Sequence, residues 1–269
     1  MPFADHLDTR IYYEVIDSTP QPVERPPTII FHHGVAANLD LWNGWLPRLR
    51  ERYRIVRFDM RGCGRSTVPE PGFKWSLELL AGDVLAVATA AGAEDFHFVG
   101  ESLGGTVGLY LAIHRGNRLS SLTVSNGAPR GGLVQNLAGW RDIIDTQGQK
   151  VWADRMMEWR FFPGALPKAT FNWFRDQHMK CSPSAALALA DLVATANLSS
   201  RLCEIKVPTL LLSPDASPFI PVTVMAEMKQ QIPDCELQVF AHTRHGLPLS
   251  HGAECAQVLQ EFLARHDQN

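Results

Sequence analysis

Cysteine is scarce in this chain, and the few cysteines have no spacing typical of a shared role. The chain has 269 residues and an odd number of cysteines, widely separated and without a Cys-x-x-Cys pair: Cys63, Cys181, Cys203, Cys235 and Cys255. This pattern argues against a disulfide framework and a zinc ribbon, and it favours a reducing compartment. We therefore expect a cytoplasmic protein.

A surplus of positive charge is also lacking, as are long hydrophobic runs. The formal net charge is -3, so no basic excess would attract nucleic acid or an anionic membrane. The most apolar stretch, 184–198, is interrupted by Asp191 and is too short and polar to cross a bilayer. Residues 1–6 have neither the basic start nor the apolar core of a secretory signal. We expect no nucleic-acid or membrane partner; a monomer and a homodimer are both compatible with the sequence.

The remaining composition is that of an ordinary globular protein, with 45% hydrophobic and 20% charged residues. Short apolar runs predict strands at 28–31, 53–58, 96–99, 119–124, 207–212 and 237–240. Helical periodicity predicts helices at 76–91, 103–114, 222–231 and 254–264. This alternation of strands and helices predicts a doubly wound, mostly parallel α/β sheet.

The alternation stops between residues 128 and 200. That segment has no strand pattern and carries short helical patterns rich in tryptophan, phenylalanine and methionine. We interpret 128–200 as a helical cap inserted after the sixth strand, and 1–127 with 201–269 as the core. Residues 21–27, which include three prolines, are expected to form a surface loop.

The most informative motif is Gly100-Glu101-Ser102-Leu103-Gly104, which stands between a predicted strand and a predicted helix. A Gly-x-Ser-x-Gly motif alone is a weak pattern, but this context is that of a nucleophile elbow. The serine occupies a strained turn, and the flanking glycines let other backbone pass close to it. We predict that Ser102 is a nucleophile.

A serine hydroxyl needs a general base, and imidazole is suited to that role near neutral pH. We assign His245, which follows the last predicted strand and precedes Gly246; His242 is the alternative. The N–H groups of Leu103 and of Val35 are the expected oxyanion donors. No carboxylate cluster accompanies the adjacent His32 and His33, so no metal is predicted.

Several segments together resemble the α/β-hydrolase superfamily over nearly the whole chain. They are Phe31-His32-His33-Gly34, Asp59-x-Arg61-Gly62-x-Gly64-x-Ser66, Gly100-x-Ser102-x-Gly104-Gly105, Val207-Pro208-Thr209-Leu210-Leu211-Leu212 and His245-Gly246. Within the superfamily, the cap resembles that of 3-oxoadipate enol-lactonase-like proteins and small carboxylesterases. Trp140-Arg141 and Trp159-Arg160-Phe161-Phe162-Pro163 carry that similarity.

The resemblance also implies an acid that orients the histidine, and here the chain departs from the family pattern. Family members typically read Gly-x-x-Asp-x-x-x-Pro after the strand at 207–212. Alignment on Pro221 places Ser217 at the aspartate position. The nearby carboxylate Asp215 is our preferred acid, and Asn126, at a second position that the superfamily uses after the sixth strand, is the alternative.

Some cap residues are candidates for binding the substrate. Arg141 and Arg160 could pair with a substrate carboxylate, because guanidinium suits bidentate pairing, and Trp159 could line an apolar pocket. The alternative for each arginine is a solvent-exposed side chain. Two further residues lie near the predicted site in sequence and are interpreted as structural: Glu101 and Cys63.

Together these features predict a serine hydrolase that cleaves a carboxylic ester or lactone of a small-molecule substrate through an acyl-enzyme, without a cofactor. Three alternatives on the same fold stay open: a carbon–carbon bond hydrolase of a ring-fission product, a cofactor-free oxygenase and a non-catalytic receptor. Haloalkane dehalogenases and epoxide hydrolases need an aspartate at the elbow, so Ser102 excludes them.

Overall fold

The computed structural model describes residues 2–20, 26–70 and 72–266. Within these ranges the strands form one eight-stranded sheet in the order β1-β2-β4-β3-β5-β6-β7-β8. The strands are β1 Phe3–His6, β2 Thr9–Ile16, β3 Thr28–His32, β4 Arg54–Phe58, β5 Phe96–Glu101, β6 Leu119–Ser125, β7 Thr209–Pro214 and β8 Cys235–Phe240. Strand β2 pairs antiparallel with β1 and β4, and the other pairs are parallel. The expected loop at 21–27 lies largely outside the described residues.

Helices connect the parallel strands, as the alternating pattern predicts. They are α1 Leu46–Leu49, α2 Leu77–Ala90, α3 Leu103–Arg115, α4 Gly139–Gln147, α5 Gln149–Arg160, α6 Lys168–Lys180, α7 Pro183–Thr195, α8 Val222–Gln231, α9 Leu247–Ser250 and α10 Gly252–His266. The four helices expected from periodicity correspond to α2, α3, α8 and α10. No helix of the described chain is both long and apolar enough to span a membrane.

The described residues form two apolar core clusters, and the strands divide their side chains between them. In β3, Ile29 and Phe31 join the cluster that contains α1 and α10 residues, whereas Ile30 joins the one that contains α2, α3 and α8 residues. Because side chains alternate along a strand, the two clusters lie on opposite faces of the sheet. Helices on both faces explain why the strands read as continuous apolar runs, and the doubly wound sheet is confirmed.

The segment between β6 and β7 contains α4 to α7, so the helical insertion after the sixth strand is confirmed. Its aromatic residues are mostly core: Trp152 and Phe174 are fully buried. Helix α5 contributes Met156 to one apolar cluster and Met157 to the other. The insertion is therefore packed into the same hydrophobic core as the sheet. The domain limits at 127/128 and 200/201 stay a prediction.

We predict that Gly108→Ala destabilises the fold although alanine normally favours a helix. A Cβ at Gly108 would lie 2.7 Å from Cδ1 of Leu122 and 2.8 Å from Cε1 of Phe98, so α3 would be pushed off the sheet. Overpacking of this kind costs about 1–3 kcal/mol in the free energy of unfolding. Urea titration checks it.

Gly139→Ala is the matched control, because Gly139 is also helical and a Cβ added there would meet no heavy atom within 4 Å outside its own helix. It should raise the free energy of unfolding by about 0.4–1 kcal/mol. Equal effects of the two substitutions would contradict the close approach of α3 to β5 and β6.

Candidate active site

Ser102 lies in the turn where β5 passes directly into α3. Its backbone has φ 55° and ψ -117°, a positive-φ conformation that a non-glycine residue rarely adopts. Two hydrogen bonds hold this turn: the Ser102 N–H donates to the Ser125 carbonyl at 3.0 Å, and the Thr106 N–H donates to the Ser102 carbonyl at 3.1 Å. Strained residues of this kind persist where the surrounding structure over-determines them, and they cluster at active sites.

The glycines on either side of Ser102 are required by close packing. A Cβ at Gly100 would overlap the backbone of Gly104, and a Cβ at Gly104 would overlap the His32 carbonyl. The first turn of α3 thus lies against the ends of β5 and β3, with no room for a side chain between them. This packing orients the N-terminus of α3, with the Leu103 N–H, toward the same place as the serine.

His245 lies in the turn after β8, and its Nδ1 faces an amide. The Oδ1 of Asn126 is 2.5 Å from Nδ1 of His245, and it also accepts the Ser217 hydroxyl hydrogen bond at 2.8 Å. The Asn126 Nδ2 donates to the Ile220 carbonyl at 3.1 Å, which orients the amide so that its oxygen faces the imidazole. Nδ1 of His245 therefore carries the proton, and Nε2 is free to act as a base.

The preferred assignment of Asp215 as the acid is corrected by this geometry. The Asp215 side chain is exposed and accepts the N–H groups of His242 at 2.8 Å and Thr243 at 3.0 Å. It stabilises the turn that precedes His245 instead of contacting the imidazole. The alternative position, Asn126, makes that contact. His242, the alternative base, is exposed on this turn.

A buried ion pair lies on the other side of the imidazole. Oε1 of Glu101 is 3.5 Å from Nε2 of His245 and accepts a hydrogen bond from Nη1 of Arg160 at 2.9 Å. Oε2 of Glu101 accepts the Gly34 N–H at 2.7 Å. Glu101 and Arg160 are almost completely inaccessible to solvent. The sequence interpretation of Glu101 as structural agrees with this ion pair and with the bond to Gly34, and the structure adds that its carboxylate lies beside the imidazole.

The loop that carries Val35 is held from several directions. The Met60 N–H donates to Nε2 of His33 at 2.9 Å, so Nδ1 of His33 carries the proton and donates to the Gly34 carbonyl at 2.7 Å. Nη2 of Arg160 lies 3.4 Å from the Val35 carbonyl. The adjacent histidines thus support a backbone loop, and no cluster of potential metal ligands occurs among the residues that the structure describes.

Burial sets the protonation state of the histidine. Desolvation, reinforced by the positive charge of Arg160, holds the pKa of His245 well below its usual value. The imidazole is therefore neutral at pH 7, which is the form that a general base needs.

An apolar pocket lies over these groups, between the core and the helical insertion. Its cavity volume, taken as the space open to a water-sized sphere, is about 20 Å³, so the pocket is narrow. Its lining residues are Val35, Ser102, Leu103, Thr106, Ala128, Val134, Leu137, Trp140, Met156, Arg160, Val193, Phe219, Ile220 and His245. The pocket therefore brings Ser102, His245 and the residues of both expected oxyanion donors together.

The three cap residues proposed from the sequence have different places. Arg160 lines the pocket. Trp159 packs edge-on against Phe219, at 5.5 Å between ring centroids, and so supports a pocket wall from behind. Arg141 is exposed and pairs with Asp191 at 2.9 Å on the surface, which corrects its assignment to substrate binding.

Comparison with known proteins identifies the family of the fold. A family model described as alpha/beta hydrolase fold matches residues 27–251. The chain is 28% identical over 222 residues to 3-oxoadipate enol-lactonase 1 of Acinetobacter baylyi, covering 81% of each protein. It is 27% identical over 230 residues to the AB hydrolase superfamily protein YisY of Bacillus subtilis, covering 81% of this chain and 84% of that protein. The crystal structure of an enol-lactonase from Burkholderia xenovorans has a TM-score of 0.88 and 21% identity, covering 98% of this chain and 100% of the other.

The family match spans most of the chain, and the sheet and elbow agree with it. The chain belongs to the α/β-hydrolase fold family. The predicted superfamily is thus confirmed.

We predict that Asn126→Ala and Asp215→Ala have unequal effects on turnover. Asn126→Ala removes the acceptor that orients His245, and misplacement of a catalytic group by about 1 Å costs on the order of 100-fold in rate. Asp215→Ala is the control, because it removes only a cap of the preceding turn; it should lower the melting temperature and change kcat by less than about 3-fold, since the imidazole keeps its orienting partner. A larger loss of kcat in Asp215→Ala than in Asn126→Ala would restore Asp215 as the acid.

We also predict that acid weakens the fold below about pH 6.5, the usual histidine pKa. Burial lowers the pKa of His32 to about 3, of His33 to about 4 and of His178 to about 3, and it holds that of His245 low as well. In this window the unfolded chain binds more protons than the folded one, so the free energy of unfolding falls as pH falls.

The expected slope is up to about 1.4 kcal/mol per pH unit for each such histidine. Urea unfolding at pH 7, 6 and 5 measures this slope. His178→Gln should reduce it by the contribution of one histidine, up to about 1.4 kcal/mol per pH unit. A stability that is constant from pH 7 to pH 5 would show that these histidines are not held neutral.

Proposed function

We propose that this protein is a serine hydrolase that cleaves a carboxylic ester or a lactone through an acyl-enzyme. The observation that carries the proposal is the pocket that brings Ser102, on its strained turn, together with the neutral, oriented His245. A serine hydroxyl at such an elbow attacks a carbonyl carbon, and an imidazole with a free Nε2 accepts its proton.

The catalytic cycle uses groups of this chain alone. His245 takes the proton of Ser102 during attack and returns it to the leaving alcohol. Asn126 holds the imidazole in the required tautomer through the hydrogen bond at Nδ1. Water then attacks the acyl-enzyme with His245 again as base, which restores Ser102 and releases the acid. In a lactone, the leaving alcohol stays attached to the acyl group.

The developing negative charge on the carbonyl oxygen is stabilised by backbone N–H groups. Leu103 is the first residue of α3, so its N–H has no acceptor within the helix. Val35 lies on the loop that His33 and Glu101 brace through the carbonyl and N–H of Gly34. Preorganised donors of this kind are worth about 10²- to 10³-fold each in kcat.

The pocket supports an apolar, uncharged acyl group. Its walls are mainly aliphatic and aromatic, and the charge of Arg160 is offset by Glu101. The Nε of Arg160 is buried and has no hydrogen-bond partner among the described residues, so it is available to a substrate oxygen. We propose this single hydrogen bond in place of a bidentate carboxylate pair.

The relatives support the same chemistry, because two of them are named as 3-oxoadipate enol-lactonases. All five cysteines are free thiols in the structure, which supports a reducing, cytoplasmic location.

The test combines labelling with turnover. A fluorophosphonate should attach irreversibly to Ser102, and Ser102→Ala should abolish both the label and hydrolysis, because the elbow serine is the attacking group. The substrate panel contains a p-nitrophenyl ester, an enol-lactone and a vinylogous 1,5-diketone, monitored by absorbance and product analysis.

Hydrolysis of the ester or the lactone, with little cleavage of the diketone, supports the proposal. Preferred cleavage of the diketone would favour the carbon–carbon bond hydrolase. Full oxygen-dependent turnover by Ser102→Ala would favour the cofactor-free oxygenase, and labelling without turnover of any substrate would favour a receptor.

A further inference from the structure

The catalytic imidazole lacks a negative charge at the position where the family resemblance leads one to expect it. Nδ1 of His245 faces the neutral Asn126 at 2.5 Å and the neutral Ser217 hydroxyl at 3.4 Å. When His245 accepts the serine proton it becomes a buried cation, which is costly unless an opposite charge lies nearby. The charge must therefore come from another direction.

We propose that Glu101 supplies this charge from the Nε2 side and acts as an electrostatic positioning residue for His245. The inference rests on the proposed function, because it concerns the imidazolium formed in that reaction. Glu101 stands directly before the nucleophile, so the turn that holds Ser102 also holds the carboxylate.

The geometry fits a charge that acts without blocking the base. Oε1 of Glu101 is 3.5 Å from Nε2 of His245, which is too long for a good hydrogen bond, so the carboxylate does not occupy the basic nitrogen. At that separation in a buried site, the carboxylate still interacts strongly with an imidazolium. The Gly34 N–H and the Arg160 guanidinium hold both of its oxygens, so the carboxylate cannot swing onto the imidazole.

The surroundings of Asn126 explain why the charge is not at Nδ1. The Asn126 Nδ2 donates to the Ile220 carbonyl at 3.1 Å. An aspartate at this position would set a carboxylate oxygen against that carbonyl, which is an unfavourable contact between two acceptors. The backbone at Asn126 is also left-handed, with φ 47°, a conformation that asparagine tolerates.

Among the residues that the structure describes, the charged groups that act on His245 come from two elements. Glu101 ends β5 and Arg160 ends α5, whereas the segments after β6 and β7 contribute neutral groups. The ring of Phe219 packs edge-on against the imidazole, at 4.7 Å between centroids. The carboxylate of Glu101 favours the charged imidazole and the guanidinium of Arg160 disfavours it. Removing Glu101 should therefore lower the pKa of His245, and removing Arg160 should raise it.

The experiment compares Glu101→Gln, Arg160→Met and the double variant. Glu101→Gln should lower the pKa of the acid limb of kcat/KM by about one unit or more and reduce the plateau by about 10-fold or more, because the cation loses its counter-charge. Arg160→Met should move the acid limb to higher pH. The double variant should lie between the two.

The titration of His245 is followed in parallel by NMR of its imidazole Cε1 proton, in the absence of substrate. This readout does not need activity, so it separates the inference from the proposed function: absence of Ser102 labelling contradicts only the function. Because an unpaired buried charge can prevent folding, the double variant, which leaves no unpaired charge, keeps the comparison with the parent protein available.

Asp83→Asn is the matched control. Asp83 forms a similarly buried ion pair with Arg61 at 2.6 Å, and neither residue lines the pocket. This variant should lose stability without any change in the His245 titration. Three outcomes overturn the inference. One is a shift of the His245 pKa in the same direction in Glu101→Gln and Arg160→Met, and another is no shift of that pKa in either single variant or in the double variant. The third outcome is a shift in Asp83→Asn as large as that in Glu101→Gln.

Discussion

The backbone of Ser102 has a φ of 55° because β5 passes into α3 without an intervening loop. The small residues Gly100 and Gly104 allow this passage, since any side chain there would separate the helix from the strand ends. One turn thereby orients a hydroxyl, a helix N-terminus and the carboxylate of Glu101. The strain is held by the hydrogen bond to Ser125 and by the close packing of α3 on the sheet.

The buried pair of Glu101 and Arg160 connects this turn to the helical insertion. Arg160 ends α5, and its guanidinium reaches Glu101 and the Val35 carbonyl. A buried ion pair gains little net stability over apolar packing, but the loss of one partner is strongly destabilising. The pair therefore links the position of the helical insertion to the turn that carries Ser102. Because their charges cancel, Glu101 and Arg160 together add no net charge to the pocket.

The departure of the chain from the family pattern at Ser217 has a structural counterpart. Ser217 does lie beside His245, but its hydroxyl donates to Asn126 and leaves the imidazole to the amide oxygen. Asp215, the nearest carboxylate in sequence, points instead to the backbone of the following turn. Proximity along the chain is thus a poor guide to the group that orients His245, because that group, Asn126, lies more than a hundred residues away in the sequence.

Local patterns determined β3 to β8, the four core helices and the Ser102 motif, because burial on both faces of a sheet and the narrow demands of a tight turn leave direct marks on neighbouring residues. Strands β1 and β2, at the antiparallel end of the sheet, were not predicted. The sequence also placed the helical insertion, where the strand pattern stops. Only the tertiary structure decided which group orients His245, that Arg141 is on the surface, and that Glu101 faces the imidazole. Those contacts join residues far apart in the chain, and their selection depends on packing distances and hydrogen-bond directions that no local pattern encodes.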